Sequence, residues 1–167
     1  MSRSPLIRPL VSADLERVLE INRSNVPEVG PLDHGGLTYL ADEAPIALCV
    51  DHEDEIVGFC LVLAGGSTYD SVNYRWCMDR YPDALYLDRV AFVESSRGRG
   101  WGTELYAEVD RRIRSDFPDA TGLTLEVNVD PPNEPSLRFH ERLGFTEVGR
   151  QMSHGIEVSL MRRPLVD

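Results

Sequence analysis

Between an apolar run at residues 85–93 and an amphipathic segment beginning near Trp101 lies Arg97-Gly98-Arg99-Gly100-Trp101-Gly102, with glycine at every second position. This stretch constrains the fold more than any other. Glycine has no Cβ, reaches left-handed backbone angles freely and lets a main chain come close to a ligand. A helix that follows directly aims unpaired N–H groups, and the positive end of its dipole, at whatever lies ahead of it. Strand, glycine turn and helix together predict an α/β chain with an anion-binding loop, and the anion that suits it is a pyrophosphate.

Two other phosphate loops fail on these residues. A dinucleotide fingerprint requires glycine where Thr103 stands, and a Walker loop requires a Gly-Lys pair. The chain has no lysine at all: its 17 basic residues are all arginine. A plain strand-to-helix connection bearing two solvated arginines is the remaining alternative, against which the spaced glycines and the helix start both weigh.

Periodicity supplies the surrounding elements. Residues 7–11 read as a strand, and Ser12 caps a helix with Leu15, Val18, Leu19 and Asn22 on one face. Pro27, Gly30 and Pro31 end that helix, a second covers residues 33–42, and residues 46–50 and 56–63 form an antiparallel hairpin. Residues 65–83 read as a long irregular segment rich in aromatics, either functional or a lid. After the strand and the glycine loop, a helix to Asp116 carries Leu105, Val109 and Ile113 as its buried stripe. Leu123, Leu125, Val127 and Val129 alternate with polar residues as one face of a strand. Asn133 caps a helix through Leu143, Gly144 stops it, and residues 145–150 and 156–162 are the last strands.

At 167 residues, with 42% hydrophobic and 27% charged residues, the chain suits one domain spanning 1–167, able to bury roughly two thirds of its unfolded surface. Its net charge of −11, with scattered arginines, argues against nucleic acid, which needs a basic stripe. An acidic surface suits cationic small molecules or peptides. The longest apolar run, residues 56–64, is too short to span a membrane, and residues 1–5 do not lead into a signal-like core. A cytoplasmic location is the expectation. Cys49, Cys60 and Cys77 are odd in number and lack metal-ligand spacing; they read as buried structural thiols, and no metal site is expected.

The pattern Arg97-x-x-Gly100-x-Gly102 resembles the acyl-CoA pyrophosphate loop of the GNAT superfamily of N-acyltransferases. A second segment, Asn133-Glu134-Pro135-Ser136-Leu137-Arg138-Phe139-His140-Glu141-Arg142-Leu143-Gly144-Phe145, resembles the family's Asn…Ala…Tyr-Glu-x-Leu-Gly-Phe. The element order β-α-α-β-β-β-α-β-α-β-β agrees as well. The resemblance implies a single-domain α/β GNAT fold, with a mixed, largely antiparallel sheet flanked by helices and a splayed strand pair that holds the CoA arm. It implies acetyl-CoA as co-substrate, direct transfer of its acetyl group to a primary amine of a small molecule or a protein N-terminus in a ternary complex, and compatibility with a homodimer. A transferase of larger acyl groups and a non-catalytic acyl-CoA sensor are the alternatives.

Residue by residue, the resemblance gives the coenzyme the amides of Gly98, Arg99, Gly100, Trp101, Gly102 and Thr103, the charges of Arg97 and Arg99, and the main chain of Val90 and Phe92. Asn133 is either a coenzyme contact or only a helix cap. Glu126, on the polar face of its strand, aligns with the Leu-Glu-Val segment of ribosomal-protein alanine acetyltransferases as a general base, or else is a strand glutamate paired with an arginine. His140 stands where many members carry the tyrosine that protonates the departing thiolate. It takes over that task, or it is a helix histidine bonded to a backbone carbonyl. Tyr69, Asn73, Tyr74 and Trp76 are either an aromatic plug or, through Asn73, Tyr74 and Trp76, an acceptor pocket. Asn128 points to the same face as Glu126, placed to bind substrate or hold water, and Asn25 and Glu28 are acceptor candidates by position.

Overall fold

Strands β3 (Glu55–Leu63) and β4 (Ala84–Phe92) are almost wholly buried, as befits apolar runs covered on both faces. The computed structural model describes residues 3–165, and around these two strands the chain runs β1 (Leu6–Pro9), α1 (Leu15–Ser24), α2 (His34–Glu43), β2 (Ile46–His52), β3, α3 (Val72–Arg80), β4, α4 (Trp101–Asp116), β5 (Gly122–Asp130), α5 (Glu134–Arg142), β6 (Thr146–Ser153) and β7 (Ile156–Pro164). The seven strands form one sheet in the order β1-β2-β3-β4-β5-β7-β6. All pairings are antiparallel except β4 with β5.

The period of two along each strand sorts the core into two layers. Leu48, Val50, Val62, Leu87, Leu123, Leu125 and Val127 face α4, meeting its stripe of Leu105, Val109 and Ile113. Phe59, Leu61, Leu63, Tyr86 and Leu160 face the other way, against Val18 and Ile21 of α1, Leu37 and Leu40 of α2, and Tyr74 and Cys77 of α3. All three cysteines are free and buried, and burial pushes their thiols up, Cys49 to about 11 and both Cys60 and Cys77 to about 12.

Caps set the helix starts. Asp33 accepts from the Gly36 amide (2.7 Å), Ser71 from that of Tyr74 (3.2 Å) and Asn133 from that of Ser136 (3.4 Å), each relieving one orphan donor of a first turn. Gly144, at φ 94°, closes α5.

The reading of residues 65–83 as irregular is corrected: α3 occupies their centre. Its buried residues, Asn73, Tyr74 and Cys77, include a polar one and leave no long apolar stripe to detect. Trp76 explains a second constraint. A Cβ on Gly149 of β6 would stand 2.3 Å from the Trp76 ring, so that glycine is the socket into which α3 docks. Gly149→Ala is expected to lower stability by about 1–3 kcal/mol through overpacking, measurable as a lower urea midpoint with an unchanged slope.

Candidate active site

Where β4 meets β5, only Ala84, Leu85 and Tyr86 pair with Gly122, Leu123 and Thr124; beyond them the strands diverge. The cause is local. Opposite β3 the register steps from Leu61↔Arg89 to Val62↔Leu87, leaving Asp88 without a partner as a β-bulge that bends β4. Val93 donates to Val57 on the β3 side, so alternation turns the main chain of Val90 and Phe92 toward the gap. That gap is part of a cleft of about 1170 Å³, which runs from the α1–α2 loop to the glycine loop and α5.

At one end stands the glycine loop. Gly98 and Gly100 have φ of 76° and 80°, and a Cβ on either would meet nothing within 4 Å. Their requirement is therefore for left-handed angles rather than for room. Gly102 differs, since a Cβ there would lie 3.0 Å from the Phe139 ring, so this third glycine serves the packing of α4 on α5. Among the described residues, none of the six amides from 98 to 103 has a hydrogen-bond partner. With the start of α4 behind them, they form a concentrated donor site for an anion.

At the other end Glu126 opens partly to the cleft. Burial, and then the Asp88 carboxylate, push it up to about 8, opposed by the Tyr86 hydroxyl that donates to Oε2 and by Asn73. Asn73 is held by Gln151, whose Nε2 donates to its Oδ1 (2.6 Å). The neighbouring Asp88 and Arg89 form a buried pair, Nε to Oδ2 at 2.7 Å, and Arg89 Nη1 also donates to Asn22 Oδ1 and to the Gly30 carbonyl, both at 2.9 Å. Tyr69 lies beside Asp88, and burial followed by that charge raises its hydroxyl above the ordinary tyrosine range.

His140 has the backbone-carbonyl contact of the second reading given for it. It is 3% exposed, and its Nδ1 lies 2.8 Å from the Ser136 carbonyl while Nε2 lies 2.6 Å from the Tyr106 hydroxyl. A carbonyl only accepts, so Nδ1 carries the hydrogen, and Nε2 accepts from Tyr106. Burial lowers the imidazole to about 4. Burial therefore favours the neutral ring near pH 7, with both nitrogens hydrogen-bonded, and it ties α5 to α4 at the wall of the cleft.

The remaining candidates divide. Asn25, Glu28, Asn73, Asn128, Asn133, Val90, Phe92, Arg97 and Thr103 line the cleft. Asn133 does so while capping α5, and Asn128 reaches the Pro27 carbonyl at 3.3 Å. Tyr74 and Trp76 do not line it. Tyr74 is buried with its hydroxyl donating to the Ala64 carbonyl (2.6 Å), and Trp76 packs on Gly149 beneath the Arg80 guanidinium at 3.9 Å. The Arg99 guanidinium stacks over Trp101 at 5.0 Å, outside the cleft lining. The Trp101 indole belongs to the core, leaving its amide to the loop. Sequence reasoning missed Asp88, Arg89 and Ser136. A charged pair interrupting an otherwise apolar strand was the signal available for the first two.

A forked α/β sheet with free amides at one mouth and a carboxylate of raised basicity at the other has the parts of a group-transfer enzyme. The profile of the acetyltransferase (GNAT) family matches residues 15–145, and the chain belongs to that family, a family of acyltransferases. No curated protein matches the sequence. Among solved structures, Ard1 from Thermoplasma volcanium is 19% identical, with a TM-score of 0.80 over 99% of this chain and 100% of its own. The ribosomal-protein-S18-alanine N-acetyltransferase of Escherichia coli is 14% identical, with a TM-score of 0.73 over 98% and 95% of the two chains. Arabidopsis thaliana NAA60, crystallised in complex with acetyl-CoA, is 21% identical, with a TM-score of 0.73 over 97% and 99%. At these identities the likeness establishes the fold. No helix among the described residues is long and apolar enough to cross a membrane.

The lowered His140 has a consequence for stability. Unfolded histidine binds its proton near 6.5 and the folded one near 4, so the fold loses stability as pH falls between those values, by about 3 kcal/mol at most. His140→Gln keeps a donor and an acceptor without titrating, and its urea midpoint should fall less between pH 7 and pH 4.5 than that of the unaltered protein. Glu126, shifted upward, acts in the opposite direction and is common to both proteins.

Proposed function

We propose that the protein transfers the acetyl group of acetyl-CoA to a primary amine by direct attack, both substrates being bound together in the cleft. The observation that carries this reading is the run of six unpaired amides at residues 98–103 opposite Glu126 in a single cavity. Those amides, with Arg97, suit the diphosphate of the coenzyme. The edge at Val90 and Phe92, where the Phe92 carbonyl accepts from Asn25 Nδ2 at 3.1 Å, suits an extended arm carrying amide groups, as an additional strand would. Bound acetyl-CoA supplies the thioester carbonyl.

The chain's own part in the chemistry is chiefly alignment and removal of one proton. An alkylammonium loses its proton near pH 10, and a carboxylate near 8 is a far better matched acceptor than an ordinary glutamate. As the C–N bond forms and the C–S bond breaks, Glu126 takes the amine proton directly or through water, and the sulfur departs with the bonding pair. No protein acid is required at the sulfur, since a thiol ionises near pH 8.5, which accords with a His140 whose burial favours the neutral form. Holding the two reactants together supplies much of the remaining acceleration.

The test is calorimetry with CoA, followed by steady-state release of thiol with a panel of amines. Glu126→Gln should lower kcat by roughly a hundredfold to a thousandfold and leave the Kd for CoA within about twofold. In the unaltered protein kcat/KM per unprotonated amine should rise with pH and level off above about 8, because the ionised carboxylate is the active form. An absence of measurable CoA binding, or a Glu126→Gln variant of undiminished kcat, overturns the reading.

A further inference from the structure

The cleft is asymmetric in charge, and the asymmetry bears on which amines it admits. Arg97, from the glycine loop, and Arg142, from the last turn of α5, line the end assigned to the coenzyme. The other end, between the α1–α2 loop and the β6–β7 turn, has Glu28, Asp70, Asp88 and Glu126 among its lining residues, with Arg89 and His154 as its basic groups. His154 lies exposed at the turn, where its φ is 50°. Asp70 is answered on the surface by Arg75 at 3.2 Å.

Arg89 is the only guanidinium beside Glu126 among the described cleft residues, and its charge is already spent on Asp88. The two side chains are 6% and 3% exposed and meet at 2.7 Å. Nη1 is further tied to Asn22 and to the Gly30 carbonyl, so the group is fixed as a strut beneath the α1–α2 loop. One buried cation thus faces two carboxylates, Asp88 and Glu126, and the reacting end is negative whenever Glu126 is ionised to act. Tyr69, Tyr86 and Asn73, the other polar groups packed around Glu126, are neutral and add no positive charge.

We propose, on the basis of the amine-transfer reading above, that the acceptor is an amine whose adjacent carbon bears no carboxylate. Alkylamines and peptide amino termini, in which that carboxyl group is an amide, share this chemistry. A free α-amino acid would carry its carboxylate, held two bonds from the attacking nitrogen, into the field of Glu126 and Asp88, where the one guanidinium, Arg89, is already outnumbered by two carboxylates. Like charges forced together in a site of low dielectric are strongly disfavoured.

The experiment compares alanine, alaninamide and ethylamine as acceptors for the full chain with acetyl-CoA, with kcat/KM expressed per unprotonated amine to remove differences in basicity. Alaninamide and ethylamine should each exceed alanine by about tenfold or more, and added salt should narrow the gap. Asp88→Asn, which releases the charge of Arg89, should narrow it further by improving alanine. If alanine matches or exceeds the other two in the unaltered protein, the inference is overturned. If no amine is turned over, it is the reaction itself that has been misread. Selection is then decided by calorimetry on the CoA-saturated protein: tighter binding of alaninamide and ethylamine than of alanine upholds the inference, and any other result overturns it.

Discussion

One extra residue in β4 governs the rest of the molecule. With Asp88 bulged out of register, β4 and β5 share only three residue pairs before parting, and a sheet that would otherwise be continuous acquires an internal edge. Main-chain groups exposed in this way need partners. Unlike an outer edge, which invites indiscriminate pairing, this one is recessed between helices and open only to the cleft. The same divergence gives Glu126 a cavity to face, where closely paired strands would have covered it.

The bulge also sets the electrostatics. It delivers two consecutive charged residues into the interior, Arg89 to secure the α1–α2 loop through Gly30 and Asp88 to neutralise Arg89. Glu126, lacking an arginine of its own, is left under the joint influence of burial and Asp88. Basicity at this position therefore comes from the surroundings, chiefly from desolvation. Opposite it, the α4 start and its glycines hold unsatisfied N–H groups in place at the expense of two left-handed residues. The two ends thus offer complementary fields to two different reactants.

The parts visible in the sequence were those encoded by periodicity and by backbone exceptions. Leu105, Val109 and Ile113 announced α4, the alternation from Leu123 to Val129 announced β5, and the spaced glycines announced the loop. What escaped depended on contacts distant in sequence. Helix α3 has no apolar stripe, because one of its buried residues is Asn73, satisfied by Gln151 from β6. The state of His140 was decided by its burial between α4 and α5, where Tyr106, 34 residues earlier, meets its second nitrogen. Gly102 looked like a third ligand-approach glycine and proved to be a packing position, a distinction made only by the Phe139 ring against it. The bulge at Asp88 left a mark, two charges inside an apolar strand, but its offset in register requires β3 alongside.

An acyltransferase keeps an activated acyl group within reach of its own side chains. Here the usual targets of stray acylation are missing or shielded. The chain contains no lysine, and its cysteines are interior, with thiols raised far out of the range in which a reactive thiolate forms. The chain thus offers an activated acyl group neither a lysine amine nor an accessible thiol.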